Sequence, residues 1–332
     1  MRVLAERSLG LAIAAAIIEC TLAACGGAPA ATAPAATAPA RTSATPPPVA
    51  ASTPVASSAP NPSPSAPDAP GRPCGDLDCL AFDGSRAAFE HALAGSPRVV
   101  AVGEAHAQKA VPGVESATVR FARDLLPVLA PRVTRVVLEL LAPDRRCEAR
   151  QTAAVAERTK PVTEPQRDTN QSEFLALGFA AKALHMQVEP LVPTCDELAH
   201  VLASDNDVGA LLELIANVTA RETFDFLDHQ KPEHAILIYG GLVHNDLAPA
   251  PGHEAWSFGP RVAEHAGGSY VEIDLIVPEL VKNEPPWTEL AWFSHYAPVP
   301  GDARTLLYRT GPHSFVLIFP ASGANDKTRA AP

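Results

Sequence analysis

Two apolar runs in this chain each break into glycine and then histidine: Arg98-Val-Val-Ala-Val-Gly-Glu-Ala-His106 and Ala235-Ile-Leu-Ile-Tyr-Gly-Gly-Leu-Val-His244. In both, the apolar side chains fall on both faces of the pleat. Such a strand is buried from both sides, which in practice means a parallel sheet covered by helices. Glycine at the carboxyl end lets the backbone turn sharply, so the polar side chains that follow project from the edge of the sheet. In open α/β sheets that edge is where ligands sit.

The rest of the chain fits the same frame. Helical periodicity is read at residues 84–93, 114–129, 173–185, 208–227 and 261–266, and strand patterns at 99–102, 133–141, 187–192, 236–239, 269–277 and 315–319. This alternation describes βαβ units. The expected fold class is α/β: a mainly parallel β-sheet flanked by helices, in a single domain over residues 74–325 that follows a tether.

The ends differ from the middle. Arg2 and Arg7 precede an apolar stretch from Leu9 to Ile18, too short for a stable bilayer span, and Leu22-Ala-Ala-Cys25 comes next. Residues 1–24 read as an export signal. The tetrapeptide resembles the bacterial lipobox, which implies that Cys25 becomes the mature N-terminus and carries lipid. Gly26 after the cysteine favours the outer membrane over the inner, so the expected location is the cell envelope, with the membrane as a partner through the lipid. Between residues 25 and 73 only Arg41, Asp68 and Arg72 are charged and no residue is aromatic. Such a segment buries too little apolar surface to offset chain entropy and is expected to be a disordered tether, reaching on the order of 40 Å as a coil. Residues 326–332 are expected to be a disordered tail.

Apart from Cys20 and Cys25 the chain has four cysteines, Cys74, Cys79, Cys147 and Cys195. An even number in an oxidising compartment reads as disulfides. Pairing the nearest, Cys74 with Cys79, leaves Cys147 with Cys195, one of three connectivities that four cysteines permit. A net charge of −11 and the absence of a basic cluster argue against nucleic acid as a partner. Walker, GxSxG and GxGxxG signatures are also missing.

The candidate chemistry lies in a few polar residues at strand ends. The first run delivers Glu104 and His106, and the second His244 followed by Asn245 and Asp246. Val136-Val-Leu-Glu139-Leu places one acid in an apolar strand, where a carboxylate costs several kcal/mol unless it is paired or bound to a cation. Glu115 is positioned to swing over the same edge. Two imidazoles with two or three carboxylates suit zinc, manganese or iron, and equally acid–base work without metal. Each also has a structural reading: a strand-end histidine bonded to backbone for His106, a salt-bridged acid for Glu139, a turn cap for His244.

Together, VVAVGEAH, VVLEL, ILIYGGLVH and GHEAWSFGPRVAEH resemble the ChaN-like haem-binding lipoproteins, a family that shares a clan with the Tiki/TraB proteins and erythromycin esterases. The resemblance spans roughly residues 95 to 280. It implies an α/β cleft at the strand ends, with Glu104, His106, Glu139 and His244 at the positions of its signatures and Glu115 similar to the helix acid of the esterase branch. It also implies haem or a small-molecule ligand, with His106 and His244 as haem-binding residues. The segment Ala107-Gln-Lys-Ala-Val-Pro departs from the ChaN-like continuation. Two functions follow as expectations: an envelope lipoprotein binding haem, iron or a divalent metal, or a hydrolase, metal-dependent or acid–base. Aromatics at 5% and Met186 as the only methionine beyond Met1 are sparse for a haem slot.

Overall fold

The computed structural model describes residues 71–322 except 143, 145, 148, 205, 206 and 298–301, together with Ala16–Ile17. Cys25, the tether as far as residue 70 and the tail at 326–332 lie outside the described residues. In chain order the elements are β1 (Ala16–Ile17), β2 (Arg72–Gly75), β3 (Cys79–Phe82), α1 (Ser85–Ala92) and β4 (Val99–Glu104). A helical segment follows in three pieces: α2 (Ala117–Arg120), a π turn (Phe121–Leu125) and α3 (Leu126–Leu129). Then come β5 (Val133–Leu141), α4 (Ala149–Thr163), α5 (Asn170–Ala183), β6 (Gln187–Leu191), α6 (Cys195–Ala203), α7 (Asp207–His229) and β7 (Ala235–Gly241). The chain closes with α8 (Gly259–His265), β8 (Tyr270–Ile276), β9 (Thr305–Gly311) and β10 (Ser314–Ile318).

All strands join one sheet in the order β1-β5-β7-β4-β8-β10-β9-β3-β2, with β6 pairing β5 and β1 reaching only Leu140 and Leu141. Strands β6, β5, β7, β4, β8 and β10 are parallel, and β9, β3 and β2 extend the sheet in antiparallel fashion. The mainly parallel α/β class is therefore the observed one. Every residue of β4 and β7 is buried, because the two faces carry separate cores. Val100, Val102, Leu237, Tyr239 and Ile273 pack with Phe89, Phe121 and Phe174 of the helices on one side. Val99, Ala101, Ile236 and Ile238 pack with Leu211, Ile215 and Val218 of α7 on the other. Each such side chain contributes roughly 1.5–3 kcal/mol by leaving water.

Several elements exceed the sequence reading. Residues 114–129 form a helix only from Ala117, where Ser116 caps it by accepting from Val119 N–H at 3.1 Å. Pro127 lacks the N–H that would continue the ladder, and the helix widens into its π turn just before it. Helices α4 and α6 and strands β2, β3 and β9 were not anticipated. For α6 a local signal exists: Thr194 and Glu197 make a capping box, with Thr194 N–H donating to Glu197 at 2.7 Å and Glu197 N–H to Thr194 at 3.2 Å. Among the described residues no helix is long and apolar enough to cross a membrane. Both disulfides are present, Cys74–Cys79 across the β2–β3 hairpin and Cys147–Cys195 tying the chain before α4 to the start of α6.

Candidate functional site

Parallel pairing without slippage brings the two glycine–histidine turns to one level. Gly103 of β4 lies opposite Gly240 of β7, and Glu104 opposite Gly241. His106 and His244 therefore leave neighbouring strands side by side. β5 flanks β7 on its other side, with Leu138 opposite Tyr239, and Glu139 is the next residue along.

The Glu139 carboxylate lies flat against β7. Its Oε2 accepts the Gly241 N–H at 2.6 Å. A Cβ on Gly240 would stand 2.2 Å from that oxygen, so only glycine leaves room for it. A Cβ on Gly241 would instead meet His106 Nε2 at 3.4 Å, Glu139 Oε2 at 3.6 Å and a His244 ring carbon at 3.7 Å. Gly241 is thus the floor of a small hollow on which the three side chains converge.

The four polar residues are sealed in: Glu104 is 1% exposed, His244 2%, His106 3% and Glu139 5%. Glu104 Oε1 lies 2.6 Å from His106 Nδ1. His244 Nδ1 lies 2.8 Å from the Trp256 carbonyl, which can only accept, so this nitrogen carries the hydrogen. The other nitrogen, Nε2, then faces Glu139 Oε1 at 3.6 Å. Neither of those two atoms has a hydrogen-bond partner among the described residues. Both atoms therefore keep hydrogen-bonding capacity directed at the same small hollow.

The surroundings are apolar and aromatic. Phe174 packs 5.9 Å from the His106 ring and 5.4 Å from Tyr239, whose hydroxyl donates to Thr118 at 3.2 Å. Burial, and then the nearby Glu104 charge, push the Tyr239 phenol well above its ordinary range. Glu115 lies apart from the cluster: it is partly exposed and pairs with Arg123 at 2.5 Å and Arg120 at 3.8 Å.

Sequence reasoning missed the residues that seat the second histidine. Trp256, Tyr270, Glu272 and Asp274 all bond to the turn after β7, whose Asn245 the sequence already placed behind His244. The signal for the last three was available, since Tyr270, Glu272 and Asp274 alternate polar positions in an otherwise apolar strand.

Among the described residues no group of three or more His, Cys, Asp or Glu side chains is arranged to hold a metal ion. Both histidines that could serve haem as axial ligands are buried. An open hollow of about 820 Å³ does exist, but it lies at the amino edge of the sheet, among Leu77, His91, Tyr270, Arg309 and Phe315. Set against protein-family models, curated proteins and solved structures, the chain matches none.

Proposed function

We propose that this chain is a hydrolase of ester- or amide-type bonds, with its acid–base centre at the carboxyl edge of β4, β5 and β7. The supporting observation is the 3.6 Å approach of His244 Nε2 to Glu139 Oε1 while Nδ1 is held by the Trp256 carbonyl. That arrangement leaves His244 one nitrogen with which to take a proton from water. The imidazolium so formed is stabilised by Glu139, which is itself fixed by the Gly241 N–H. The hydroxide attacks the carbonyl carbon of the substrate. The tetrahedral adduct collapses as the His244 imidazolium passes that same proton to the leaving oxygen or nitrogen and the C–O or C–N bond breaks, while His106, held at Nδ1 by Glu104, lines the other side of the hollow. A low-dielectric hollow strengthens each of these interactions.

The likeness to ChaN-like proteins favours haem, and the geometry favours the esterase branch of the same clan. The lipobox-like Leu22-Ala-Ala-Cys25 supports an envelope lipoprotein, lipid-anchored at the outer membrane and acting there on a small molecule.

The test is a panel of nitrophenyl esters and anilides with the full-length protein, and with E139Q and H244N. Loss of roughly 10²-fold or more in kcat in both variants is expected. Unchanged rates would overturn the reading. So would a stoichiometric divalent metal whose removal abolishes turnover, or a Soret band on adding haemin that is lost in H244N.

A further inference from the structure

The acid–base cluster is almost wholly buried, and on the hydrolase reading substrate reaches it by movement of a covering segment. The turn that carries His244 is fastened in an unusual way. Three residues on one face of β8, each two apart, reach up to it. Tyr270 donates to the Asn245 carbonyl at 2.7 Å, Glu272 accepts the Leu247 N–H at 2.8 Å, and Asp274 accepts from the Asn245 amide at 3.1 Å. Asn245 is 2% exposed, and its Oδ1 has no hydrogen-bond partner among the described residues. That oxygen stands 2.6 Å from where a Cβ on Gly103 would be, and Asp274 Oδ1 stands 2.8 Å from the same point. The link from β8 to the second histidine turn thus passes over the glycine of the first.

We propose that Tyr270, Glu272 and Asp274 are positioning residues: they latch the Asn245–Leu247 turn onto β8, hold His244 against Glu139, and admit substrate when the latch releases. The inference rests on the hydrolase reading for what the opening serves. The geometry of the latch stands independently of it.

The latch works with protons. Glu272, Asp274 and Asp246 crowd together, and no ion pair reaches any of them among the described residues. Around Glu272 the facing polar groups are the Asp246 carboxyl, the Ser314 hydroxyl from β10 and the Leu247 N–H. Around Asp274 they are Glu272, Asp246 and the Asn245 amide. Tyr270 faces the same three acids. Burial, opposed only in part by these hydrogen bonds, raises Glu272 to about 7. Burial and then the Glu272 charge raise Asp274 well above the carboxylate range. With protons on, the acids sit together without repulsion and the turn is closed. As pH rises through the Glu272 value, like charges accumulate beneath the turn and favour its release.

The experiment follows Leu247 amide exchange in the full-length protein between about pH 6 and pH 8.5, alongside kcat and KM for an ester. Wild type is expected to show exchange accelerating about tenfold beyond the intrinsic base-catalysed rise across that range. E272Q keeps an acceptor for Leu247 N–H but carries no charge, and is expected to abolish the extra acceleration and flatten the same limb of the kcat profile. Y270F is expected to raise exchange at every pH, with kcat lowered more than KM is raised. Identical exchange profiles in wild type and E272Q overturn the latch, whatever the hydrolysis rates. The expected exchange behaviour without any ester turnover supports the latch and sinks the hydrolase reading instead.

Discussion

Gly103 and Gly240 face each other across the β4–β7 pair, and each is the close-approach point for a polar side chain from elsewhere: Asn245 over Gly103, Glu139 over Gly240. The two glycines let neighbouring strands end at the same height. Any side chain there would push the functional groups apart.

Replacing Gly240 by alanine forces Glu139 away from the Gly241 N–H, since the added carbon would stand 2.2 Å from the carboxylate oxygen. A loss of about 1–3 kcal/mol in urea denaturation is expected. G241A is the contrasting case, because its methyl meets its neighbours at 3.4 to 3.7 Å. Stability there should change by less than about 1 kcal/mol while ester turnover falls, because the methyl occupies the hollow.

The two disulfides should differ in worth. Cys147–Cys195 spans 48 positions and Cys74–Cys79 only 5. Chain-entropy reasoning puts their contributions at about 4 and about 2 kcal/mol respectively. Paired serine substitutions compared by denaturant midpoint and m-value test this ordering.

Stability should fall as pH rises from about 4.5 toward 7, through the Glu272 carboxyl. Its value in the folded protein is raised to about 7 from an ordinary 4.5, so in that window the native state binds more protons than the unfolded chain. Unfolding free energy therefore decreases with pH there and levels off above. Comparing pH series for wild type and E272Q checks the sign: the variant should lose this slope.

Thr194→Ala removes the acceptor for Glu197 N–H and breaks the capping box of α6. A cost of about 1 kcal/mol is expected by thermal or chemical denaturation. Glu197 also pairs with Arg221 at 2.6 Å, so the change should be felt at the contact between α6 and α7.

The pattern of the chain made much of this legible. Continuous apolar runs at 99–102 and 236–239 read as strands covered on both faces, which in practice means helices on both sides and a parallel core. Glu139 stood out as one acid in an apolar strand, and its observed bonds to Gly241 and approach to His244 are the compensation such burial requires. The antiparallel extension was less visible, because β2 and β3 are short and enclosed in a disulfide hairpin. α4 lacks a clean apolar stripe, so its periodicity carries little information.

Local pattern by itself determined the α/β class and the residues that leave the sheet at its carboxyl edge, because side-chain period and glycine position act within a few residues. Strand order and register were decided only in three dimensions. Nothing local says that β7 lies between β5 and β4, or that Glu115 turns outward to Arg123 while Glu139 turns inward to His244. Those outcomes depend on which distant surfaces bury each other best and on where a charge finds its partner, and both are properties of the whole packed chain.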